Sequence, residues 1–358
     1  MIKYPLNYRD AREKFIESAA KQHMTLEKHL LDEKVGIDIA YRKQEGNEKL
    51  IVVSTGLHGI EGYVGNALVD VFFKEFFASL KSDVYLIHGI NPIGMLNYRR
   101  VNENNVDLNR NFIEDISKNS YHNQSYQELD KLLNPSAFTS MSSFNLNFYF
   151  GLIKAIMIKK PAALKEAVLK GQYHNEAGIF FGGDQHENST KIVIDLFKAL
   201  FDKKYKTHVH LDIHTGYGPR YQMSVVNSTQ ENRTVQELKN AFAYPLIVGL
   251  NKDEFYEING DMIEYLYGLK DSLNPECDFY GAALEFGTLG DGLLNDIKSL
   301  KTMVLENLIQ RNGISGTPKS KVEQLMKDLY LPDEEKWKEK CEHDFKQILN
   351  GIIKHFSL

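Results

Sequence analysis

The chain has 358 residues, of which 25% are charged, and its acidic and basic residues are interspersed to a net charge of -5. It has no basic stripe, so the composition argues against a nucleic-acid partner. A chain of this length can bury a sizeable core without disulfides or a structural metal. The two cysteines, Cys277 and Cys341, follow no metal-binding spacing and predict free thiols in a reducing compartment.

The N-terminal sequence predicts no targeting segment. Its first ten residues lack the apolar core and the small-residue cleavage pattern of a signal peptide. The sequence also has no uncharged apolar run of about 18 residues, the length that spans a membrane. We therefore expect a cytoplasmic protein without a membrane partner, and the sequence leaves its oligomeric state open.

Predicted helices and strands alternate along the chain with no Pro/Gly/Ser-rich linker between them. Apolar residues at helical spacing predict helices near residues 10–31, 62–77, 126–133, 148–159, 162–169, 190–201, 261–269 and beyond 320. Alternating or β-branched runs predict strands at residues 35–41, 51–55, 84–88, 207–214, 223–227, 246–250 and 282–286. N-P-I-G at 91–94 predicts a turn. This pattern favours one α/β domain over residues 1–358, with a mostly helical insertion at 113–205 and a helical C-terminal extension at 318–358.

Four side chains suited to metal or acid–base chemistry fall at or near the ends of predicted buried strands. His58 and Glu61 lie in a strand-to-helix turn, and His214 ends the strand T-H-V-H-L-D-I-H. Glu285 lies within the apolar run A-A-L-E-F, where an unpaired carboxylate is costly. Ligands of open α/β sheets bind beyond the carboxyl ends of the strands, so we expect these side chains to meet at one edge.

These residue types fit a hydrolytic zinc site. His58, Glu61 and His214 provide three protein ligands and leave one coordination position for water. Zinc lowers the pKa of water from about 15.7 toward 7, so Glu285 could accept the proton at neutral pH. The predicted cofactor is one zinc ion, and no organic cofactor is expected.

The polar loop at 97–111 is rich in arginine. The chain has nine arginines against 34 lysines, yet three of the nine are Arg99, Arg100 and Arg110. A guanidinium binds a carboxylate through two parallel hydrogen bonds, which an ammonium group cannot do. The loop therefore predicts a substrate with a free carboxylate.

Five motifs, in this order, resemble the zinc carboxypeptidase superfamily: H-G-I-E at 58–61, N-P-I-G at 91–94, N-N-V-D-L-N-R-N-F at 104–112, D-I-H-T-G at 212–216 and A-L-E-F-G-T at 283–288. The resemblance runs through roughly residues 50–290. G-Q-Y, F-F-G-G and the tail L-P-D-E-E-K-W are similar to a largely bacterial branch of that superfamily. The resemblance implies a mixed, largely parallel central sheet flanked by helices.

The resemblance also implies roles for the residues that match its motifs. His58, Glu61 and His214 would be the metal ligands. Glu285 would be the general base and later the proton donor. Asp107 would accept a hydrogen bond from His58 and so orient its ring.

Three further residues would act on the substrate. Arg100 would polarise the scissile carbonyl and stabilise its oxyanion. Asn109 and Arg110 would hold a substrate carboxylate. Ile60 stands where carboxypeptidases often have a polar residue, which puts recognition of a second peptide residue in doubt.

Other family features have no clear counterpart. The mobile tyrosine could correspond to Tyr265 or Tyr267. The specificity position, some fifteen residues before the base, would fall near Lys270 and Asp271. The long interval between Glu61 and His214 suggests inserted helices that narrow the cleft and restrict it to small substrates.

Three more histidines and one aspartate require a separate interpretation. His88, His208 and His210 lie inside predicted strands, where a hydrogen-bonded core histidine is commoner than a ligand. A second metal is therefore not favoured. Asp212 could contact His214, two residues further on the same strand face, or could simply be buried with a backbone partner.

The sequence thus predicts a zinc-dependent hydrolase of the carboxypeptidase type that cleaves an amide or peptide bond next to a free carboxylate by metal-activated water. The expected substrate is a small peptide or an acyl amino acid with a free carboxylate. The nearest alternative is a deacylase of N-acyl amino acids, as in aspartoacylase-like and succinylglutamate desuccinylase-like proteins, because the same motifs serve either chemistry. A third alternative is a non-catalytic module that binds a metal or a carboxylate.

Overall fold

The computed structural model describes residues 1–119, 121–158, 166–249 and 259–358. In these residues eight strands form one sheet in the order β1-β2-β4-β3-β5-β8-β6-β7. The strands are β1 (Thr25–Leu30), β2 (Gly36–Arg42), β3 (Lys49–Thr55), β4 (Asp83–His88), β5 (Thr207–Gly216), β6 (Met223–Asn227), β7 (Ile247–Gly249) and β8 (Asp278–Gly287).

The centre of the sheet is parallel. Strands β4, β3, β5 and β8 pair in parallel, whereas β1 and β2 at one side and β6 beside β8 pair antiparallel. Strands β3 and β4 are buried on both faces, which explains their continuous apolar sequences. The predicted mixed, largely parallel sheet flanked by helices is confirmed.

Helices cover both faces of the sheet. They are α1 (Tyr8–Lys21), α2 (Gly62–Glu75), α3 (Pro92–Leu96), α4 (Gln124–Glu128), α5 (Asp130–Leu133), α6 (Met141–Ile158), α7 (Asn188–Asp202), α8 (Val235–Phe242), α9 (Met262–Leu273), α10 (Leu293–Arg311), α11 (Thr317–Tyr330) and α12 (Glu335–Phe356). Residues of α1, α2, α8 and α12 form the core on one face, and residues of α7 and α9 form the core on the other.

A third core joins helices of the predicted 113–205 insertion to α10 and α11. Phe144 and Phe148 of α6 share this core with Leu305 of α10 and with Met326 and Tyr330 of α11. Helices from the 113–205 segment therefore pack directly against those of the C-terminal region. Among the described residues, no helix is long and apolar enough to cross a bilayer.

Two sequence predictions of local structure are wrong. The helix predicted at 10–31 ends at Lys21, the backbone turns at His23 with a φ of 54°, and Thr25–Leu30 pairs with β2 as a strand. Leu26 and Leu30 are four residues apart, which imitates helical spacing. N-P-I-G begins helix α3, because the Asn91 side chain accepts a hydrogen bond from the Gly94 N–H and caps the helix.

Some predicted elements extend beyond the described residues. The first half of the helix predicted at 162–169, the last residue of the helix predicted at 148–159 and the last residue of the strand predicted at 246–250 lie outside them.

Candidate metal centre

The two motifs H-G-I-E and N-P-I-G form one tightly packed turn. Gly56 ends β3 with a φ of 73°, which allows the chain to turn toward the short 3-10 helix Gly59–Glu61. A Cβ atom at Gly59 would lie 2.2 Å from the carbonyl carbon of Gly94, so only glycine permits this contact. The packing fixes His58 and Glu61 just beyond the carboxyl end of β3.

The three predicted ligands converge beyond the ends of β3 and β5. His58 Nδ1 lies 2.9 Å from Glu61 Oε1, His214 Nδ1 lies 3.1 Å from Glu61 Oε2, and the two Nδ1 atoms are 3.3 Å apart. All three side chains are buried. Their ligand atoms lie within 4.8 Å of one another. Among the described residues, these three side chains form the group that could hold a metal ion.

The 3.3 Å between the two Nδ1 atoms matches the edge of a tetrahedral zinc site. Ligand atoms about 2.0–2.1 Å from a tetrahedral ion are separated by roughly 3.3 Å. The residue types also fit, because imidazole nitrogen and carboxylate oxygen are both ordinary zinc ligands.

Each histidine has a carboxylate on the other side of its ring. His58 Nε2 lies 3.3 Å from Asp107 Oδ1, and His214 Nε2 lies 2.5 Å from Asp212 Oδ2. These acidic neighbours favour the proton on Nε2, which leaves both Nδ1 lone pairs directed at each other and at Glu61. Three acceptors then face one another, and a cation would remove their repulsion.

The pKa values of the metal-free site show the same charge arrangement. Burial alone would lower the pKa of His214, but the carboxylates of Asp212 and Glu61 raise it well above its usual value. Burial alone would raise the pKa of Glu61, but His58 and His214 lower it below its usual range. Without a metal, positive charge on the His214 imidazole is therefore stabilised at this position.

Of the two alternatives for Asp212, the structure supports the contact with His214. The other Asp212 oxygen, Oδ1, accepts a hydrogen bond from Ser54 Oγ at 2.5 Å. Glu61 is held in a similar way, because the Thr215 N–H donates to Glu61 Oε2 at 2.9 Å. Both sides of the ligand group are fixed by β3 and β5.

Glu285 faces this group from β8. Residues His214 and Glu285 are register partners on the adjacent parallel strands β5 and β8, so their side chains project from the same face. Glu285 is half-buried, yet its Oε2 atom is inaccessible and has no hydrogen-bond partner among the described residues. Burial, and to a smaller extent the Glu61 carboxylate, raises the pKa of Glu285 to about 7 against the opposing effect of His214.

Arg100 lies beside the ligand group. Its Nε donates to Asp107 Oδ2 at 3.0 Å, and its Nη1 lies 3.7 Å from Glu61 Oε1. Burial would raise the pKa of Asp107, but the Arg100 and Arg110 cations lower it well below its usual range. Asp107 therefore remains ionised between Arg100 and His58.

Asn109 and Arg110 are held mainly by the protein itself. The Asn109 amide donates to Asp261 Oδ2 and accepts from the Met262 N–H, both at 2.9 Å, at the beginning of α9. The Arg110 guanidinium donates to the carbonyls of Asn109 and Leu169, also at 2.9 Å. Its buried Nε has no hydrogen-bond partner among the described residues.

The four residues suggested for the tyrosine and specificity positions are all on α9. Tyr267 is buried and donates to Glu231 Oε2 at 2.7 Å, which fixes it in the core. The Tyr265 ring packs against Phe112 with the ring centres 6.0 Å apart. Lys270 and Asp271 form an ion pair with each other at 3.0 Å.

The other strand histidines are buried in the core, but not in the hydrogen-bonded form that the sequence predicts. Both ring nitrogens of His88 and His208 lack hydrogen-bond partners among the described residues, and His210 has one contact, to Ser54 Oγ at 2.7 Å. Aromatic stacking replaces hydrogen bonding, since the His88 ring lies 4.9 Å from the ring of Phe15. Burial lowers the pKa of His88 and of His210 to about 4.

Sequence reasoning missed Tyr330. Its backbone carbonyl accepts a hydrogen bond from Thr215 Oγ1 at 2.9 Å. Burial raises the pKa of its hydroxyl to about 12, and the positive charge of Arg100 opposes that rise. No local motif marks this tyrosine, because α11 returns to the site more than 100 residues after Thr215.

The fold and site define the class of protein: an α/β protein with a buried His-Glu-His group that is typical of a single zinc site. The chain belongs to the family described as "Protein of unknown function (DUF2817)", whose sequence model matches residues 4–343. No curated protein sequence matches the chain.

Several solved structures are similar to this chain at low identity. A candidate metallopeptidase from Shewanella amazonensis SB2B is 10% identical, with 84% of this chain and 92% of that chain covered and a TM-score of 0.45. Bovine thrombin-activatable fibrinolysis inhibitor, in complex with tick carboxypeptidase inhibitor, is 14% identical, with 97% and 99% covered and a TM-score of 0.45. Succinylglutamate desuccinylase from Chromobacterium violaceum is 12% identical, with 89% and 74% covered and a TM-score of 0.39. At these TM-scores the similarity supports no conclusion about function. The function is inferred from the geometry of the site.

Proposed function

We propose that this protein is a zinc-dependent hydrolase of the carboxypeptidase type that cleaves an amide bond next to a free carboxylate. One observation carries the proposal. His58 Nδ1, Glu61 and His214 Nδ1 lie at tetrahedral ligand spacing, and Glu285 faces them with an unpaired buried oxygen. A structural zinc site is normally closed by four protein ligands, whereas three ligands and an adjacent carboxylate are the arrangement of a hydrolytic site.

When bound at this group, zinc would supply Lewis-acid chemistry, which makes water a nucleophile at neutral pH and polarises an amide carbonyl. Glu285 accepts the proton of the attacking water on its carboxylate and later donates that proton to the leaving amine. Its pKa of about 7 in the metal-free protein shows that burial already favours the protonated form, which assists the return of the proton.

The other residues of the site hold these groups in place and stabilise charge. Asp212 holds the His214 ring through a hydrogen bond to Nε2, and Asp107 lies within ion-pair distance of His58 Nε2. Arg100, which lies next to Glu61, donates a hydrogen bond to the amide oxygen as negative charge develops on it.

A free carboxylate on the substrate would bind at Arg110. The Nε–H of this guanidinium is a buried donor without a partner among the described residues, and Asn109 precedes Arg110 in the chain. Because Nη1 and Nη2 are fixed by backbone carbonyls, the guanidinium is already oriented before a substrate arrives. The substrate class is therefore a small peptide or an acyl amino acid with its carboxylate free.

The test is a hydrolysis screen with the wild-type protein, Glu285→Gln and Glu231→Gln. We expect Glu285→Gln to keep one zinc ion and to lose about 10²–10⁴-fold in kcat, the typical contribution of a general base. Glu231→Gln is the matched control, because Glu231 is a carboxylate that pairs with Arg233 outside the site.

The screen contains dipeptides and N-acyl amino acids, so it separates the two chemistries. Turnover of acyl amino acids alone would identify a deacylase. Full activity in Glu285→Gln, or zinc binding without hydrolysis of any compound, would contradict the proposed mechanism.

A further inference from the structure

We infer that Ser54 and His210 are positioning residues for the zinc ligand His214. They form the outer part of a buried hydrogen-bond chain that runs from His210 through Ser54 and Asp212 to the His214 ring. The inference rests on the proposed function, because it concerns the same metal site. It gives His210, which sequence reasoning assigns to the core alone, a part in forming that site.

The pairing of β3 with β5 places the four side chains on one face of the sheet. Ser54 of β3 and Asp212 of β5 are register partners on adjacent parallel strands. His210 and His214 lie two residues before and two residues after Asp212, and side chains two residues apart on a strand point to the same face. The chain of contacts therefore follows from the strand register and does not depend on the conformation of a loop.

Three short contacts link these side chains. Ser54 Oγ lies 2.7 Å from His210 Nε2 and donates to Asp212 Oδ1 at 2.5 Å. The other oxygen of the carboxylate, Asp212 Oδ2, lies 2.5 Å from His214 Nε2. The exposed fraction is 0% for Ser54, His210 and Asp212 and 3% for His214, so water does not compete for these hydrogen bonds.

The chemistry of the groups fixes the direction of the chain. An ionised carboxylate only accepts hydrogen bonds, so the single hydroxyl proton of Ser54 points to Asp212. The Ser54 oxygen is then the acceptor toward His210, which donates from Nε2. Burial lowers the pKa of His210 to about 4, so at neutral pH its ring carries one proton. The buried Nδ1 of His210 has no partner among the described residues, which agrees with a proton on Nε2.

Ser54 holds the outer oxygen of the Asp212 carboxylate. Without this hydroxyl, the buried Oδ1 would lose its donor, and the carboxylate could rotate. His214 would then lose the fixed acceptor that keeps its proton on Nε2 and its Nδ1 lone pair directed at the other ligands. Because His210 offers Ser54 a donor and not an acceptor, it keeps the Ser54 proton on Asp212.

A purely structural role for Ser54 and His210 makes a different prediction. The His210 ring lies 4.8 Å from the ring of Phe197 in the core, so a substitution could change the stability of the protein without affecting the metal site. A positioning role acts through Asp212 and disappears when that carboxylate is removed. A double-mutant cycle separates the two roles.

The experiment measures zinc affinity by calorimetry for Ser54→Ala, with Asp212 present and in an Asp212→Ala background. We expect about three- to tenfold weaker binding with Asp212 present, the scale of one net hydrogen bond, and less than about a twofold change without it. Ser82→Ala is the matched control, because Ser82 is equally buried and its hydroxyl has no partner among the described residues. Equal affinities of wild type and Ser54→Ala, or the same loss in both backgrounds, would overturn the inference.

A pair of substitutions tests the donor at position 210. His210→Leu removes the ring N–H, whereas the longer amide of His210→Gln keeps an N–H near the position of Nε2. We expect His210→Leu to bind zinc about two- to fivefold more weakly than wild type, and His210→Gln to regain most of that loss. The same loss in both variants would contradict a donor role for His210.

Nuclear magnetic resonance of the metal-free wild-type protein gives a readout that needs neither zinc, turnover nor a substitution. In protein with isotope-labelled histidine, protonated and unprotonated ring nitrogens give separate signals. We expect the His210 proton on Nε2, and a proton on Nδ1 would overturn the inference. Zinc binding by the wild type without hydrolysis of any compound would count against the proposed function alone, whereas turnover with unchanged zinc affinity in Ser54→Ala would count against this inference alone.

Discussion

Strand β5 has a buried histidine near each end, and the two histidines lie in opposite surroundings. His208, near the beginning of the strand, packs among the rings of Phe197, Phe201 and Phe279, and burial lowers its pKa well below the usual value. His214, at the other end, lies between two carboxylates that raise its pKa. Both histidines are fully buried, so burial does not distinguish a ligand from a core residue. The distinction comes from the carboxylates that other elements bring to the carboxyl end of the strand.

The sharpest test of this comparison replaces one histidine of β5 at a time. Loss of a residue that only hydrogen-bonds to a ligand lowers metal affinity by roughly 10–100-fold. We expect His214→Ala to lower zinc affinity by more than this, because it removes a ligand. His208→Phe should leave zinc affinity unchanged, since its site is already aromatic. Calorimetric zinc titrations of both variants would measure the difference. Equal losses in the two variants would abolish the distinction between the ends of the strand.

A smaller effect is expected from the carboxylate behind His214. Asp212→Asn should weaken zinc binding by about 10–100-fold, because the amide no longer stabilises the proton on Nε2 as a carboxylate does. Asp83→Asn is the control, since Asp83 is also buried but bonds Tyr205 and the Gln44 N–H. If the two substitutions change zinc affinity equally, Asp212 does not act through His214.

The smallest expected effect concerns the stability of the metal-free protein. The pKa of Glu285 in the folded chain is about 7, above its usual value of 4.5, so the unfolded chain releases this proton at lower pH. The stability contributed by the protonated carboxyl is complete below pH 4.5 and is lost as the pH rises to about 7. Glu285→Gln cannot ionise, and because solvent screens the partly exposed Glu285, its free energy of unfolding should exceed that of wild type by only about 1 kcal/mol at high pH.

Urea unfolding in the presence of a chelator, at pH 5 and pH 8, measures this difference. The advantage of the glutamine variant should be small at pH 5 and should reach its full value at pH 8. The same advantage at both pH values would mean that ionisation of Glu285 does not set the stability of the empty site.

Much of the fold is predictable because buried parallel strands give continuous apolar sequences. The ends of β3 and β5 are therefore visible in the sequence, and the sequence alone is enough to predict that His58, Glu61 and His214 lie at those ends. The register that sets Glu285 opposite His214 follows from the pairing of β5 with β8. Spacing alone is weaker evidence, since the two leucines of β1 imitate a helix.

Contacts between distant elements could not be predicted. The last carbonyls of α11 accept hydrogen bonds from Thr215 and Thr288 only because α11 packs across the ends of β5 and β8, and no sequence pattern encodes that path. Likewise, the Asn109 amide is bound to the beginning of α9, a contact that depends on tertiary packing. The lack of hydrogen-bond partners for His88 and His208 among the described residues was also unexpected, because aromatic rings from other elements replace the usual polar partners.

The most direct test of the zinc site is a crystal structure of the protein prepared with zinc, with anomalous diffraction recorded at the zinc absorption edge. The account predicts one strong peak per chain, about 2.0–2.1 Å from His58 Nδ1, His214 Nδ1 and a Glu61 oxygen, with Glu285 close by but not coordinated. A peak at other side chains, coordination through the Nε2 atoms, or no peak at this position would contradict it.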